Sequence, residues 1–298
     1  MKWIIIVLVL LVVALIVFGL YLAKYSLGIQ AQTLEEARKW QADHYDLTFY
    51  DEVEKEDYTV KSYDGYVLHV QYLKNAKESH KYVIISHGYT DNHIGSLKYA
   101  RVYLNLGFHV VLYDLRGHGE NEPTFCTYSI REAKDLNVLI EDTRKRYPDA
   151  QVLGIHGESL GSATSIAVLQ YKPQIDFVVA DCGFSEIASV MANGLKMMKL
   201  PEGLSKVASL CAKLRYGYSY EEMRPIDALK DNTIPICFIH GEKDDFIVPQ
   251  HSIKMQKATK GYSEIHIFPN ATHAASVLFD TDGYTETLRT YLKKLKLL

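Results

Sequence analysis

The pentapeptide Gly157–Gly161, Gly-Glu-Ser-Leu-Gly, constrains the fold of this chain more than any other stretch. The apolar segment Val152–Ile155 precedes it and has the length and branching of a buried strand. Residues 162–169 follow it and have the pattern of a helix that begins with small residues. A serine between strand and helix needs a sharp, strained turn, and glycines two residues away on each side let the two elements approach. We therefore predict a turn that presents the Ser159 hydroxyl at the end of a strand.

Length and charge are those of a single globular domain with an extension. The chain has 298 residues, 48% of them hydrophobic, which is ample for the core of a domain of about 230–250 residues. The net charge is −3 and no basic cluster occurs, which argues against a nucleic-acid partner. The four cysteines form no C-x-x-C motif, and we expect buried, reduced thiols. They are Cys126, Cys182, Cys211 and Cys237.

The N-terminus contains a long apolar run without a charge. Trp3–Ala23 is rich in Ile, Val and Leu, and as a helix it would be about 31 Å long, enough to cross a bilayer. The alternative is a signal peptide, which has a shorter apolar region and a small-x-small cleavage site. Tyr21 stands where that site needs a small residue. We therefore predict a single-pass membrane anchor over residues 1–24. With Lys2 before the span and Lys24 after it, we expect the domain that follows the span to lie outside the cytoplasm.

Residues 25–57 form a predicted spacer before a domain at residues 58–298. Thr33-Leu34-Glu35-Glu36 has the form of a capping box and predicts a short helix through Trp40. An acidic stretch follows, consisting of Asp46, Asp51, Glu52, Glu54, Glu56 and Asp57. We expect a solvated connector. The alternative is that these charges repel anionic lipid headgroups and hold the domain off the membrane.

From Tyr58 onwards, strand-like and helix-like segments alternate. Eight segments have the pattern of strands: Tyr58–Lys61, Val67–Leu73, Val83–Ser86, Val110–Tyr113, Val152–His156, Phe177–Ala180, Ile236–His240 and Ile265–Phe268. The first two read as a hairpin. Helices are predicted near Ser96–Leu106, Ile130–Tyr147 and Thr285–Leu297. The alternation predicts a mostly parallel sheet covered on both faces, with functional side chains at the carboxyl ends of the strands.

A serine hydroxyl is a poor nucleophile at neutral pH, so Ser159 would need a histidine base and an orienting carboxylate. His273 follows the eighth predicted strand, and no other histidine does. Asp244 and Asp245 follow the seventh. The order serine, acid, histidine is that of the α/β-hydrolases. Over about Tyr58–Leu297 the chain resembles this superfamily, and within it bacterial membrane-anchored serine aminopeptidases and prolyl-oligopeptidase-like hydrolases.

The resemblance implies an α/β-hydrolase fold with an eight-stranded, mostly parallel sheet flanked by helices. In relatives the acid lies four residues after the histidine of an H-G-x-x-D motif, which is Asp244 in His240–Asp244. The Val-Pro of relatives often lies one residue closer to that motif than Val248-Pro249 does, so Asp245 remains the alternative.

The resemblance also implies two backbone donors for an oxyanion, each worth about 3 kcal/mol. One is the N–H of Leu160, directly after Ser159. The other is the N–H of Tyr89, in the Ser-His-Gly-Tyr-Thr stretch after the third strand. Residues 113–119 resemble the D-x-R-G-H-G turn of the superfamily, and we expect Asp114 and Arg116 to organise loops near the site.

The superfamily inserts a cap in the region that corresponds to residues 184–224. Two sets of apolar residues recur there at helical spacing: Ile187, Val190, Met191, Leu195 and Met198, then Leu204, Val207, Cys211 and Leu214. They predict a small helical cap with an apolar lining above Ser159. Packing against the main domain is the alternative use of these side chains. An apolar lining suggests a small acyl or other hydrophobic substrate.

These features predict a serine hydrolase that cleaves a carboxylic ester or related acyl bond through an acyl-enzyme, as a carboxylesterase or acylglycerol lipase does. One alternative is a serine peptidase of the aminopeptidase or prolyl-oligopeptidase-like type, although the cap has no acidic pair arranged for a peptide amine. Another is a non-catalytic, membrane-tethered binding module, which typically lacks a triad member. No metal-ligand spacing occurs and no cofactor is implied. The sequence determines neither the oligomeric state nor whether water or an alcohol accepts the acyl group.

Overall fold

Eight strands form a single sheet that is antiparallel at one edge and parallel elsewhere. The computed structural model describes residues Met1–Leu298. The strands are β1 Lys55–Lys61, β2 Val67–Leu73, β3 Lys81–Ser86, β4 His109–Tyr113, β5 Val152–Glu158, β6 Phe177–Asp181, β7 Ile236–Gly241 and β8 Ser263–Phe268. Their order is β1-β2-β4-β3-β5-β6-β7-β8. The pairs β1–β2 and β2–β4 are antiparallel and the others parallel. Each predicted strand lies inside an observed one.

Helices cover both faces of the sheet. They are α1 Lys2–Leu27, α2 Leu34–His44, α3 Thr48–Glu52, α4 Leu97–Asn105, α5 Ile130–Arg146, α6 Leu160–Ala167, α7 Ile187–Met197, α8 Leu204–Tyr216, α9 Gln250–Ala258, α10 Ser276–Phe279 and α11 Thr281–Lys294. The helices predicted near Ser96–Leu106, Ile130–Tyr147 and Thr285–Leu297 correspond to α4, α5 and α11, although α11 begins four residues earlier than expected. Helix α9 was not predicted, because its few large apolar residues form no clear stripe.

The core has two layers because β3, in the middle of the sheet, is buried on both faces. Ile84 packs in one layer with Leu136 of α5 and Ile166 of α6. Its neighbour Val83 packs in the other layer, which contains α4 and Leu288 of α11. Alternate residues of a strand point to opposite faces, so a nearly continuous apolar strand fills both layers. This arrangement fixes the carboxyl ends of the parallel strands at one edge, where the predicted site lies.

The N-terminal helix α1 leaves most of its apolar surface exposed. It is long and apolar enough to cross a membrane. Every residue from Trp3 to Phe18 is exposed, whereas Gly19, Leu22 and Ala23 are buried against the rest of the protein. Only the C-terminal part of the helix therefore belongs to the packed domain.

The segment between α1 and β1 is packed on the domain, so the expectation of a solvated connector is wrong for its apolar side chains. Thr33 caps α2 with both hydrogen bonds of the predicted capping box. Ala37, Leu47 and Tyr50 are buried in the layer that contains α4. The acidic side chains of the segment are exposed, as expected. The few apolar residues are spread over α2, α3 and the loop between them, so no single periodic stripe indicated a buried face.

Candidate active site

Ser159 lies on a strained turn between β5 and α6. Its backbone has φ +53° and ψ −111°, a conformation that costs a non-glycine residue free energy. A Cβ atom on Gly157 would lie 2.1 Å from the carbonyl oxygen of Gly161, and one on Gly161 would lie 2.1 Å from that of Ser86. Both contacts are impossible. The two glycines therefore allow the strand and the helix to approach closely enough to hold the serine in this turn.

His273 reaches Ser159 from the loop after β8. Its Nε2 atom lies 3.0 Å from the Ser159 Oγ atom, within hydrogen-bond distance. Its Nδ1 atom lies 2.6 Å from Oδ2 of Asp244, which follows β7. The ring of Phe246 stands edge-on to the imidazole, with centroids 5.5 Å apart. The structure thus brings a serine, a histidine and a buried carboxylate from three separate loops into one hydrogen-bonded chain.

Of the two candidate aspartates, Asp244 is the one that contacts the histidine. Its Oδ1 atom accepts hydrogen bonds from the N–H groups of Phe246 and Ile247, at 3.1 and 2.9 Å. Burial acts to raise the pKa of Asp244, but hydrogen bonds from His240 and His273 outweigh burial and lower the pKa to about 2. Asp245 is exposed. Asp244 is therefore ionised at neutral pH and oriented towards His273.

Two backbone N–H groups next to Ser159 have no hydrogen-bond acceptor within the protein. They belong to Leu160, the first residue of α6, and to Tyr89, in the loop after β3. Both residues, with Ser159, line one cavity. The first N–H groups of a helix have no intrahelical partner, so that of Leu160 is available to an anionic oxygen.

The Tyr89 loop is held in place by buried polar side chains. Burial lowers the pKa of His87 to about 3, so its imidazole is neutral. Its Nδ1–H donates to the carbonyl of Gly88 at 2.7 Å, and its Nε2 accepts from the N–H of Leu115 at 2.9 Å. Asp114 accepts from the N–H of His93 at 2.8 Å. The D-x-R-G-H-G turn therefore braces the loop, which fits the structural role predicted for Asp114.

Arg116, the other residue of that turn singled out in the sequence, contacts two aspartates. It donates to both Asp135 and Asp64, at 2.6 to 3.1 Å. These bonds join the turn to α5 and to the loop between β1 and β2. The arginine thus organises loops, as expected, without contacting the cavity.

A buried ion pair that the sequence does not indicate lies below Ser159. Nζ of Lys98, on α4, lies 2.5 Å from Oε2 of Glu158, and both side chains are less than a tenth exposed. Burial disfavours the charged form of Lys98, but Glu158 and Asp91 outweigh burial and raise the pKa of its ammonium. The hydroxyl of Tyr99 also donates to Glu158. Glu158, a variable residue of the G-x-S-x-G motif, is thus held in place by Lys98 and Tyr99. A lysine inside an amphipathic helix gives no sequence signal for this contact.

The cavity at Ser159 has a volume of about 490 Å³ and lies beneath the cap helices α7 and α8. All five apolar residues of the first predicted stripe, Ile187, Val190, Met191, Leu195 and Met198, line it. The second predicted set of apolar residues does not line the cavity, so that part of the prediction is wrong. Its Val207 and Cys211 pack against Gly19 of α1, and Leu214 is 77% exposed. The small side chains of α8 allow close contact with α1, which the sequence pattern did not indicate.

Residues that are able to ligate a metal cluster at two places away from Ser159. One group is Cys237, Glu264 and His266, and the other is His93, Asp114 and Glu120. Several of these atoms are already engaged: Glu264 pairs with Lys294, and Asp114 with His93. Neither group contains a residue of the hydrogen-bonded chain at Ser159.

Known proteins resemble this chain in sequence and in fold. The prolyl oligopeptidase family matches residues 96–295. An uncharacterized Bacillus subtilis protein, YqkD, is 29% identical over 96% of this chain and 95% of its own length. The structure resembles an esterase of Pyrococcus furiosus, with a TM-score of 0.71, 21% identity, and 90% of this chain and 98% of that one covered.

The structure also resembles the acylaminoacyl peptidase of Pyrococcus horikoshii. The TM-score is 0.63 at 18% identity, and the alignment covers 82% of this chain but 41% of that one. These two structures support the α/β-hydrolase fold predicted from the sequence. Because the family match spans about two thirds of its length, this chain belongs to the prolyl oligopeptidase family of serine hydrolases.

Proposed function

We propose that this protein cleaves carboxylic esters through an acyl-enzyme formed on Ser159. The observation that carries the proposal is the chain of hydrogen bonds from Ser159 through His273 to Asp244, at the floor of an apolar cavity. We favour catalysis because a binding module on this scaffold would not need all three residues to be hydrogen-bonded in this order.

In the proposed mechanism, His273 takes the Ser159 proton through Nε2 as the serine oxygen attacks the ester carbonyl. Asp244 keeps the other proton on Nδ1 and stabilises the imidazolium that forms. The N–H groups of Tyr89 and Leu160 bind the oxyanion. The alcohol leaves with the proton held by His273. Water, deprotonated by the same histidine, then attacks the acyl-enzyme and releases the acid. No step requires a metal or cofactor.

An ester is favoured over a peptide because the cavity lacks charge. None of the residues that line it is Asp, Glu, Lys or Arg, and most are hydrophobic. An aminopeptidase needs a carboxylate for the substrate ammonium group, since burying an unpaired charge is costly. Family membership favours the alternative of a peptidase, and the Pyrococcus horikoshii relative is described as an acylaminoacyl peptidase.

The test is steady-state hydrolysis of p-nitrophenyl esters, from acetate to palmitate, beside amino-acid p-nitroanilides, by the full-length protein in detergent. Ser159→Ala should lower ester turnover at least about a thousandfold. Ser165→Ala is the matched control, because Ser165 is buried in α6, the helix that follows Ser159, and its hydroxyl has no hydrogen-bond partner. Preferential anilide cleavage would favour the peptidase. No turnover and no labelling of Ser159 by a fluorophosphonate would refute the hydrolase mechanism.

We further propose that α1 anchors the protein in a membrane, with the catalytic domain outside the cytoplasm. The length and composition of α1 support the anchor. Fusions of alkaline phosphatase and of green fluorescent protein to the C-terminus test the orientation. Phosphatase activity without fluorescence is expected; fluorescence without phosphatase activity would place the domain in the cytoplasm.

A further inference from the structure

The anchor helix forms part of the cavity at Ser159. Leu22, Tyr25 and Ser26, on the last two turns of α1, line the cavity together with the cap. We propose that the substrate is a single-chain acyl ester resident in the bilayer, whose chain enters the cavity between α1 and α7. The proposal rests on the proposed esterase function and specifies its substrate class.

The end of α1 is fixed to the loops of the active site. The Tyr89 hydroxyl donates to the carbonyl of Gly28 at 2.7 Å. Main-chain bonds join Cys126 N–H to the Leu27 carbonyl and Gln32 N–H to that of Thr90, each at 2.8 Å. The final carbonyls of a helix lack intrahelical partners, and here the domain supplies them. The anchor therefore holds the cavity at one height above the membrane.

That height follows from the length of the free helix. The exposed part of α1, Trp3–Phe18, is about 24 Å long, whereas the hydrocarbon core of a bilayer is about 30 Å thick. The missing length comes from the next turn, Gly19–Leu22, which is already packed against the protein. A Cβ atom on Gly19 would lie 2.8 Å from Sγ of Cys211 on α8. The cap and the Leu22 wall of the cavity therefore reach the boundary of the hydrocarbon.

The surface of the cap matches such a position. Met197, Met198, Leu210 and Leu214 are each more than half exposed, and two of them, Met197 and Met198, form the rim of the cavity. The cap helices and their linker, residues 187–217, carry five exposed basic side chains and one acidic one, Glu202, although the whole chain is acidic. The basic residues are Lys196, Lys199, Lys206, Lys213 and Arg215. Apolar side chains with interspersed basic ones are typical of segments that lie on anionic lipid.

The chemistry of the cavity specifies the ligand. An uncharged lining accepts an acyl chain, and Ser159 at its floor meets the ester carbonyl that ends the chain. The bond from the carbonyl carbon to the alcohol oxygen breaks, and the acyl group passes to Ser159 and then to water. A volume of about 490 Å³ is within the range of small-ligand sites, about 300–1,000 Å³, and suits one chain rather than a two-chain lipid.

The test uses full-length protein in vesicles of phosphatidylethanolamine and phosphatidylglycerol, with p-nitrophenyl palmitate and the water-soluble butyrate. The p-nitrophenyl palmitate in the same vesicles as the enzyme should be cleaved at least about tenfold faster than the same ester in separate vesicles. Equal rates would overturn membrane delivery. This comparison uses the unaltered protein, so it does not depend on whether a variant folds.

Two variants test the cavity. Leu22→Trp fills it from α1, and Gly194→Leu fills it from α7, where an added side chain meets open space. Each should lower the ratio of palmitate to butyrate turnover at least about tenfold. The matched controls are Val17→Trp, on the exposed part of α1, and Gly203→Leu, an open position outside the cavity; both should leave the ratio unchanged.

The outcomes separate this proposal from the proposed function. If the ratio of palmitate to butyrate turnover falls in Gly194→Leu but not in a folded Leu22→Trp, α1 does not form part of the acyl site. Butyrate turnover and fluorophosphonate labelling of Ser159, with no dependence on these positions, would refute the acyl site and leave the esterase intact. If the unaltered protein shows neither esterase activity nor labelling of Ser159, both proposals are refuted.

Discussion

Replacing Lys98 with methionine removes a buried cation from a group of acids beneath Ser159. Lys98 pairs with Glu158 at 2.5 Å, and Asp181 lies in the same buried region, joined to Glu158 through the Tyr99 hydroxyl. Methionine retains most of the side-chain volume but has no charge. The variant would therefore leave the Glu158 carboxylate without its counter-ion, next to the proposed nucleophile.

The expected loss is large because both partners are almost fully buried. Breaking a buried ion pair by removing one partner costs about 3–5 kcal/mol of unfolding free energy. In a domain of about this size each kcal/mol changes the melting temperature by about 2–4 °C, so we expect a fall of about 6–20 °C. A second substitution, Glu158→Gln, removes the unpaired charge and should restore part of the loss.

The assay is thermal unfolding of the full-length protein in detergent, followed by circular dichroism. The control is Lys260→Met, which breaks the Lys260–Asp231 pair, with side chains 67% and 72% exposed. That change should cost less than about 1 kcal/mol. Equal melting temperatures for Lys98→Met and Lys260→Met would refute the structural role of the buried pair.

Three further changes test the site. Asp244→Asn should lower kcat by about 10³–10⁴-fold while Asp245→Asn leaves it unchanged, measured with p-nitrophenyl butyrate; equal effects would show that the acid is misassigned. Gly161→Ala should abolish or strongly destabilise folding because its Cβ would meet backbone, whereas Gly203→Ala should be tolerated, as seen in yields and melting temperatures. Burial, with Glu158 nearby, raises the pKa of Asp181 to about 6, above an unfolded value of about 3.9. The folded state therefore loses stability as pH rises from about 4 to 6, and Asp181→Asn should remove this part of the pH dependence of the melting temperature. An unchanged pH dependence in Asp181→Asn would contradict the assignment to Asp181.

The sheet and the residues of the hydrogen-bonded chain at Ser159 could be predicted from the sequence because local patterns specify them. Most of the parallel strands are apolar runs of the right length, and both glycines around Ser159 are there because a Cβ would meet backbone atoms. His273 was identifiable as the only histidine after the last strand. Asp244 and Asp245 could not be separated by spacing, since the choice depends on how the loop after β7 turns towards His273.

Contacts between segments that are distant along the chain could not be predicted from the sequence. The pairing of Lys98 with Glu158 joins α4 to the end of β5, and no periodicity indicates it. The packing of α8 on α1 depends on Gly19, whose small size appears in the sequence only as one more residue of an apolar run. The same holds for Leu22, which lines the cavity although the sequence predicts only a membrane-spanning residue there.

In the proposed mechanism Ser159 carries the acyl group during turnover, and mass spectrometry of the quenched protein detects that adduct. Full-length protein is mixed with p-nitrophenyl butyrate, quenched in acid within the first turnovers, and digested to locate the adduct. We predict one butyryl group per chain, on Ser159, and none in Ser159→Ala. Ester hydrolysis that persists in Ser159→Ala, or an adduct on another residue, would contradict the mechanism.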